Sequence, residues 1–178
     1  RRVLFRSHNF VTTDGLVVHN CFPKDVDALR AFARGEGYET ELLDAVVGVN
    51  DRQAHRAVEL LARHVELEGA RVAVLGLAFK SGTDDVRNSR ALDVIELLHE
   101  RGAEVIAYDP EATRNAREAL DVRVEYVDSA DEAIEDADAV VIATDWEEFE
   151  GLDASGKVVV DGRRVDVRNA EVYEGLCW

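Results

Sequence analysis

The spacing of apolar residues changes near residue 70. Upstream, Leu42, Val46, Val49, Ala57, Leu60 and Leu61 recur near one helical face, which predicts a long helix over residues 40–67 capped by Thr40. At 1.5 Å per residue it would span about 40 Å, more than a small domain needs, with Gly48 or Asn50-Asp51 as kink points. A shorter helix is predicted from Cys21 to about residue 34, with Pro23 in its first turn and Gly35 and Gly37 ending it. Downstream, short apolar runs at 72–75, 105–108, 122–127, 139–143 and 158–160 predict strands. Helices are predicted between them at 89–101, 113–120 and 129–136. Ser129-Ala130-Asp131-Glu132 reads as a capping box and Gly102 as a helix stop. Several runs lack polar alternation, as expected of strands covered on both faces. The expected fold class is α/β, a long connecting helix followed by a Rossmann-like, doubly wound parallel sheet.

Composition limits the possible roles. The chain has 178 residues, 47% of them hydrophobic, enough for one full core and a small annex. With 37 acidic against 21 basic residues its formal charge is −16, which disfavours nucleic acid or an anionic membrane as partner. Such an excess keeps a surface hydrated in high salt, so halophilic behaviour is expected, an ordinary acidic cytosolic protein being the alternative. No apolar run approaches the ~20 residues of a membrane span and no signal peptide is evident, so a cytoplasmic location is expected. Cys21 and Cys177 are far apart with no CxxC and no paired His, so neither a disulfide framework nor a metal site is indicated. Methionine is absent, and the chain is expected to be a fragment.

Residues 1–7 carry three arginines and no acid, and read either as a non-native leader or as a basic N-terminal arm. Residues 8–20, HNFVTTDGLVVHN, predict two short strands about a Thr13-Asp14-Gly15 turn. Their ending, His19-Asn20 before Cys21, suits attack of the Asn20 side chain on its own carbonyl while His19 polarises it. The segment resembles the C-terminal end of an intein, which implies that Cys21 is the first host residue and that His19 and Asn20 are the cleavage residues.

Cys21 opens the run Cys-Phe-Pro-Lys-Asp, at the positive end of a predicted helix and near Lys24. Both features lower a thiol pKa from its ordinary ~8.5, the profile of a nucleophile; a buried structural cysteine is the alternative. In a doubly wound sheet the ligand crevice lies beyond the C-terminal strand ends. The loops expected there carry Lys80, Arg87, Arg90, Arg163 and Arg164, a basic cluster suited to a carboxylate or diphosphate; alternatively these residues pair with Asp84, Asp85 or Asp161. The loop Gly76-Leu-Ala-Phe-Lys-Ser-Gly82 is neither a G-x-G-x-x-G fingerprint nor a P-loop, so this half need not bind a dinucleotide.

CFPKD, a helix containing Val49-Asn50-Asp51-Arg52-Gln53, GLAFKSGTDDVRNSRALDVIELL, YDP and VVVDGRR follow in that order. Together they resemble the UDP-glucose/GDP-mannose dehydrogenase family over residues 21 to about 176. The resemblance implies a central helical dimerisation segment with the catalytic cysteine at 21–68 and a UDP-sugar-binding Rossmann-like domain at 69–178. The family's N-terminal NAD-binding domain has no counterpart here. The resemblance further implies Cys21 as covalent nucleophile, forming a thiohemiacetal and then a thioester during NAD-dependent oxidation of sugar C6, and Asp25 as a residue that positions or activates water. It implies Phe79, Lys80 and Arg163 as substrate-binding residues, Lys24 and Arg87 as residues toward the cofactor, and a homodimer through the long helix. UDP-glucose is the expected substrate and GDP-mannose the alternative, with the fragment alone inactive. A stand-alone nucleotide-binding module and a self-processing module are the competing readings.

Overall fold

The computed structural model describes residues 21–176, with side chains from residue 24 onward. The expected leader and hairpin, His19, Asn20, Cys177 and the side chain of Cys21 lie outside the described residues.

Each apolar run forms a strand of one parallel sheet: β1 (Arg71–Leu75), β2 (Glu104–Tyr108), β3 (Val124–Tyr126), β4 (Ala139–Ile142), β6 (Val158–Asp161) and, unanticipated, β8 (Val172–Gly175). Their order is β3-β2-β1-β4-β6-β8, every neighbouring pair being parallel. The order reverses direction between β1 and β4, and a crevice at the C-terminal strand ends opens at such a switch. A second, two-stranded sheet pairs β5 (Leu152–Asp153) with β7 (Val167–Arg168). These strands are too short to produce a period.

The central strands read as uninterrupted apolar runs because both faces are covered. Val72, Val74, Val105, Val141 and Val160 point into a core shared with α3 (Gln53–Leu61), α4 (Arg90–Glu100) and α5 (Thr113–Ala119). Ala73, Leu75, Ile106, Val140 and Val159 point the other way, toward α6 (Ala130–Glu135), Phe149, Leu152 and Val165. The two packed faces make the domain doubly wound, as the sequence predicts. Ser129 caps α6, its hydroxyl accepting from the Glu132 N–H at 3.1 Å, while the Glu132 carboxylate accepts from the Asp128 N–H at 3.2 Å. Gly102 follows α4 at φ +81, a left-handed conformation that ends a helix cheaply.

The predicted long helix is two helices, α2 (Glu41–Asp51) and α3, with Arg52 between them at ψ −5, and the helical run stops at Leu61 rather than near residue 67. The predicted single apolar face divides accordingly. Ala57, Leu60 and Leu61 are buried under the sheet, whereas Leu42 is 77% and Val49 42% exposed. At the break, Gln53 is buried and its Nε2 donates back to the Val49 carbonyl at 2.9 Å. Thr40 precedes α2 without capping a backbone N–H; its hydroxyl instead donates to Asp44 at 3.3 Å. The helix of Cys21, α1 (Cys21–Gly35), packs on α2 through Arg30 and Arg34, which reach Asp44 at 2.5 and 2.9 Å.

Candidate functional site: loops at the C-terminal edge of the sheet

Four loops leave the C-terminal ends of β1, β2, β4 and β6, and side chains tie them together. Asp109, directly after β2, is 3% exposed. Its Oδ2 accepts from the Leu77 N–H at 2.6 Å, the Ala78 N–H at 3.0 Å and Trp146 Nε1 at 3.1 Å. Its Oδ1 accepts from the N–H groups of Glu111 and Ala112 at 2.9 and 2.7 Å. One carboxylate thus fastens the loop after β1 to the loop after β2 and to Trp146 beyond β4. Thr144 adds a second tie, its hydroxyl donating to the Ala78 carbonyl at 2.7 Å. The chains come so close there that a Cβ on Gly76, which sits at φ +85, would lie 2.4 Å from Thr144 Cβ.

Asp161 performs the same service at the end of β6. It is fully buried; Oδ1 accepts from the N–H groups of Arg163 and Arg164 at 2.5 and 3.1 Å, and Oδ2 from the Val165 N–H at 2.8 Å. The Tyr173 hydroxyl, from β8, donates to the same Oδ2 and lies 3.2 Å from the Val165 carbonyl. Burial pushes the Asp161 carboxyl above its ordinary range against the pull of those hydrogen bonds, and burial together with Asp161 raises the Tyr173 hydroxyl. The turn so formed holds Arg164 at φ +64 and directs Arg163 to Asp145 at 2.8 Å, with the Arg163 side chain 13% exposed.

Phe79, Lys80 and Arg163 therefore stand on loops of one sheet edge. Phe79 is buried and Lys80 exposed, its ammonium 5.6 Å from the Phe79 ring centroid. Lys24 and Asp25 are exposed in the first turns of α1, which packs on α2. The expected basic cluster is largely neutralised in place. Arg87 grips Asp85 at 2.7 Å, Arg90 bridges Asp51 and Asp93 at 2.8 Å each, and Arg163 pairs with Asp145. Of the partners anticipated for these arginines, Asp85 takes the part; Asp161 gives its carboxylate to backbone N–H groups instead. Asp109, Thr144, Asp145 and Tyr173 carry structural parts of the site that sequence reasoning missed. An aspartate directly after an apolar strand and before a tight turn is the signal that could have found Asp109 and Asp161.

The dinucleotide fingerprint is not formed at this edge. In a dinucleotide fold, glycine-rich backbone after β1 and the N-terminus of the following helix meet the pyrophosphate. Here the fingerprint positions after Gly76 hold Ala78 and Ser81, the Leu77 and Ala78 N–H groups already serve Asp109, and α4 begins only at Arg90. Among the described residues no group of His, Cys, Asp and Glu could hold a metal ion, and no helix is long and apolar enough to cross a membrane.

Comparison with known proteins agrees with this architecture. Residues 73–168 match the UDP-glucose/GDP-mannose dehydrogenase family, UDP binding domain. A UDP-glucose 6-dehydrogenase of Haloferax volcanii is 50% identical over 163 residues, covering 88% of this chain and 38% of that protein. The structure of a UDP-glucose dehydrogenase from the hyperthermophilic archaeon Pyrobaculum islandicum superposes with a TM-score of 0.86 at 47% identity, over 90% of this chain and 38% of that one. A GDP-mannose dehydrogenase of Pseudomonas aeruginosa reaches 0.71 at 27% identity, over 90% and 39%. The chain thus spans well under half the length of these relatives. With its doubly wound sheet, its tied crevice loops and a family match across more than half its residues, the chain belongs to the UDP-glucose/GDP-mannose dehydrogenase family.

Proposed function

We propose that this chain is the nucleotide-sugar-binding portion of an NAD-dependent UDP-glucose 6-dehydrogenase, with Phe79, Lys80 and Arg163 holding the UDP-sugar and Cys21 acting as covalent nucleophile. The observation that carries the reading is the shared sheet edge on which Phe79, Lys80 and Arg163 stand, between loops already fixed by Asp109 and Asp161. An arginine fork and an ammonium suit the two phosphates of the nucleotide. The higher identity to UDP-glucose than to GDP-mannose dehydrogenases favours UDP-glucose as substrate.

Cys21 opens α1, where the helix dipole favours thiolate. Its sulfur would add to the C6 aldehyde, giving a thiohemiacetal, and after further oxidation would leave as thiolate when water, positioned by Asp25, attacks the thioester. NAD supplies the hydride acceptor and is assigned to the part of the relatives' length that this chain does not span. Lys24 and Arg87 are the side chains this chain would offer toward it. The fragment alone is therefore inactive.

Two further elements belong to the proposal. Exposed Leu29, Phe32, Tyr38, Leu42 and Val49 on and between α1 and α2 support a homodimer through these helices, which sedimentation would detect. The His19-Asn20-Cys21 sequence supports an intein remnant, and mass spectrometry after long incubation would reveal a species beginning at Cys21 if cleavage persists.

Titration calorimetry tests the main reading. The chain should bind UDP-glucose more tightly than GDP-mannose, and Arg163→Ala should weaken UDP-glucose binding about tenfold or more, as expected for losing charge-assisted hydrogen bonds. In the full-length enzyme, Cys21→Ser should stop the oxidation at the aldehyde stage, so that no carboxylate product forms. A fragment that produces NADH from UDP-glucose alone, or a Cys21→Ser enzyme that completes the oxidation, would refute it.

A further inference from the structure

We propose that Tyr173 is the positioning residue for Arg163, acting from the last strand through the buried carboxylate of Asp161; the proposal rests on the reading that Arg163 holds the nucleotide-sugar. The turn that carries Arg163 lies outside any strand, and its course is set by one carboxylate that accepts the N–H groups of Arg163, Arg164 and Val165. Arg164 occupies the left-handed region, an unfavourable conformation for a long side chain that those contacts sustain. The carboxylate needs fixing in its turn, because a partial rotation about its last torsion would swing both oxygens away from the three N–H groups. The Tyr173 hydroxyl supplies that restraint, meeting the oxygen that also serves Val165. Tyr173 reaches it from β8, which is hydrogen-bonded in parallel to β6, Val159 standing opposite Tyr173. Tyr173 is 41% exposed, and its hydroxyl is the atom that meets the turn. Removing the hydroxyl leaves the turn without its lateral stop, and the Arg163 guanidinium, held at 2.8 Å from Asp145, loses a defined position.

The experiment is a double-mutant cycle on the 178-residue chain, with UDP-glucose as ligand in calorimetry. Tyr173→Phe should weaken binding about tenfold, the scale of one hydrogen bond to a charged group, and less than about twofold when Arg163 is already alanine. Equal losses in both backgrounds, or no loss in either, would overturn the proposal, since a merely structural effect ignores whether Arg163 is present. Amide exchange provides a ligand-free arm. In Tyr173→Phe the N–H groups of residues 163–165 should exchange about tenfold faster while those of β6 keep their rates. If the parent chain binds no UDP-glucose, the functional reading fails and the exchange rates alone decide the positioning; unchanged rates at 163–165 would then sink it. Asp161→Asn should reproduce the exchange pattern, and serves as the second variant if Tyr173→Phe folds poorly.

Discussion

Replacing Asp109 with alanine would remove the acceptor of five donors at once. Their surroundings set the cost. The Glu111 N–H and the Trp146 indole lie at partly or fully exposed residues, where water can take over. Leu77, Ala78 and Ala112 are at most 1% exposed, so their N–H groups would stay buried without an acceptor. Each such group costs about 1–3 kcal/mol, and partial relaxation or an entering water brings the expected total to about 3–5 kcal/mol, a large share of a domain's stability. Asp109→Asn should recover little of it, since an amide oxygen can serve one side of the carboxylate only while its NH₂ faces N–H donors on the other. Urea unfolding followed by far-UV circular dichroism reads the loss, and Trp146 fluorescence in the native baseline reports release of the indole. A loss below about 1 kcal/mol for Asp109→Ala, with the Trp146 signal unchanged, would refute the claim that this carboxylate fastens the crevice loops.

Two further outcomes follow from a close backbone approach and from a surface ion pair. Gly76→Ala should destabilise by about 2–4 kcal/mol, because its Cβ would sit 2.4 Å from Thr144 Cβ at a positive φ; a melting temperature equal to the parent's would contradict the close approach. The α1–α2 contact should weaken only in acid: the hydrogen bond from Arg30 holds the Asp44 carboxyl below its ordinary value of 3.8. The contribution is then complete above the unfolded value and disappears as pH falls through the lower folded one, so parent and Asp44→Asn should differ in thermal stability near neutrality and converge by about pH 2. A difference that persists at pH 2 would argue against it.

The legible parts of the fold are those that burial dictates locally. β1, β2, β4 and β6 were readable because covering both faces demands uninterrupted apolar residues, and Gly102 and Ser129 because helix ends carry local chemistry. The sequence of β8, Val-Tyr-Glu-Gly, carries no such run, since most of that edge strand is partly exposed. The break at Arg52 lies beside Asn50-Asp51, one of the expected kink points, but that it divides the helix in two was hidden. Asp, Arg and Gln are compatible with a helix, and only the descent of α3 beneath the sheet separates it from α2. At the candidate site, Lys80, Arg87 and Arg163 could be placed on crevice loops from strand order alone. The Arg87–Asp85 pair is among the pairings the sequence suggests, whereas the Arg163–Asp145 pair is not, because it joins the ends of two different strands. The position of Asp109 and Asp161 after apolar runs marks them as candidates for inward ties but leaves their N–H partners unspecified.

The reversal of strand order also governs how the chain can assemble. β1 lies at the centre of the sheet, and its second neighbour, β4, joins it beside a contact between the Arg71 N–H and Asp138 that closes 67 residues of chain. Until that closure, one edge of the central strand stays open while α4, β2, α5, β3 and α6 form. Contacts of such long sequence separation are reached late and slowly. During synthesis the first half of the sheet therefore exists for a time as an unpaired template, and the fast, local helices that precede and flank it are the parts able to shield it.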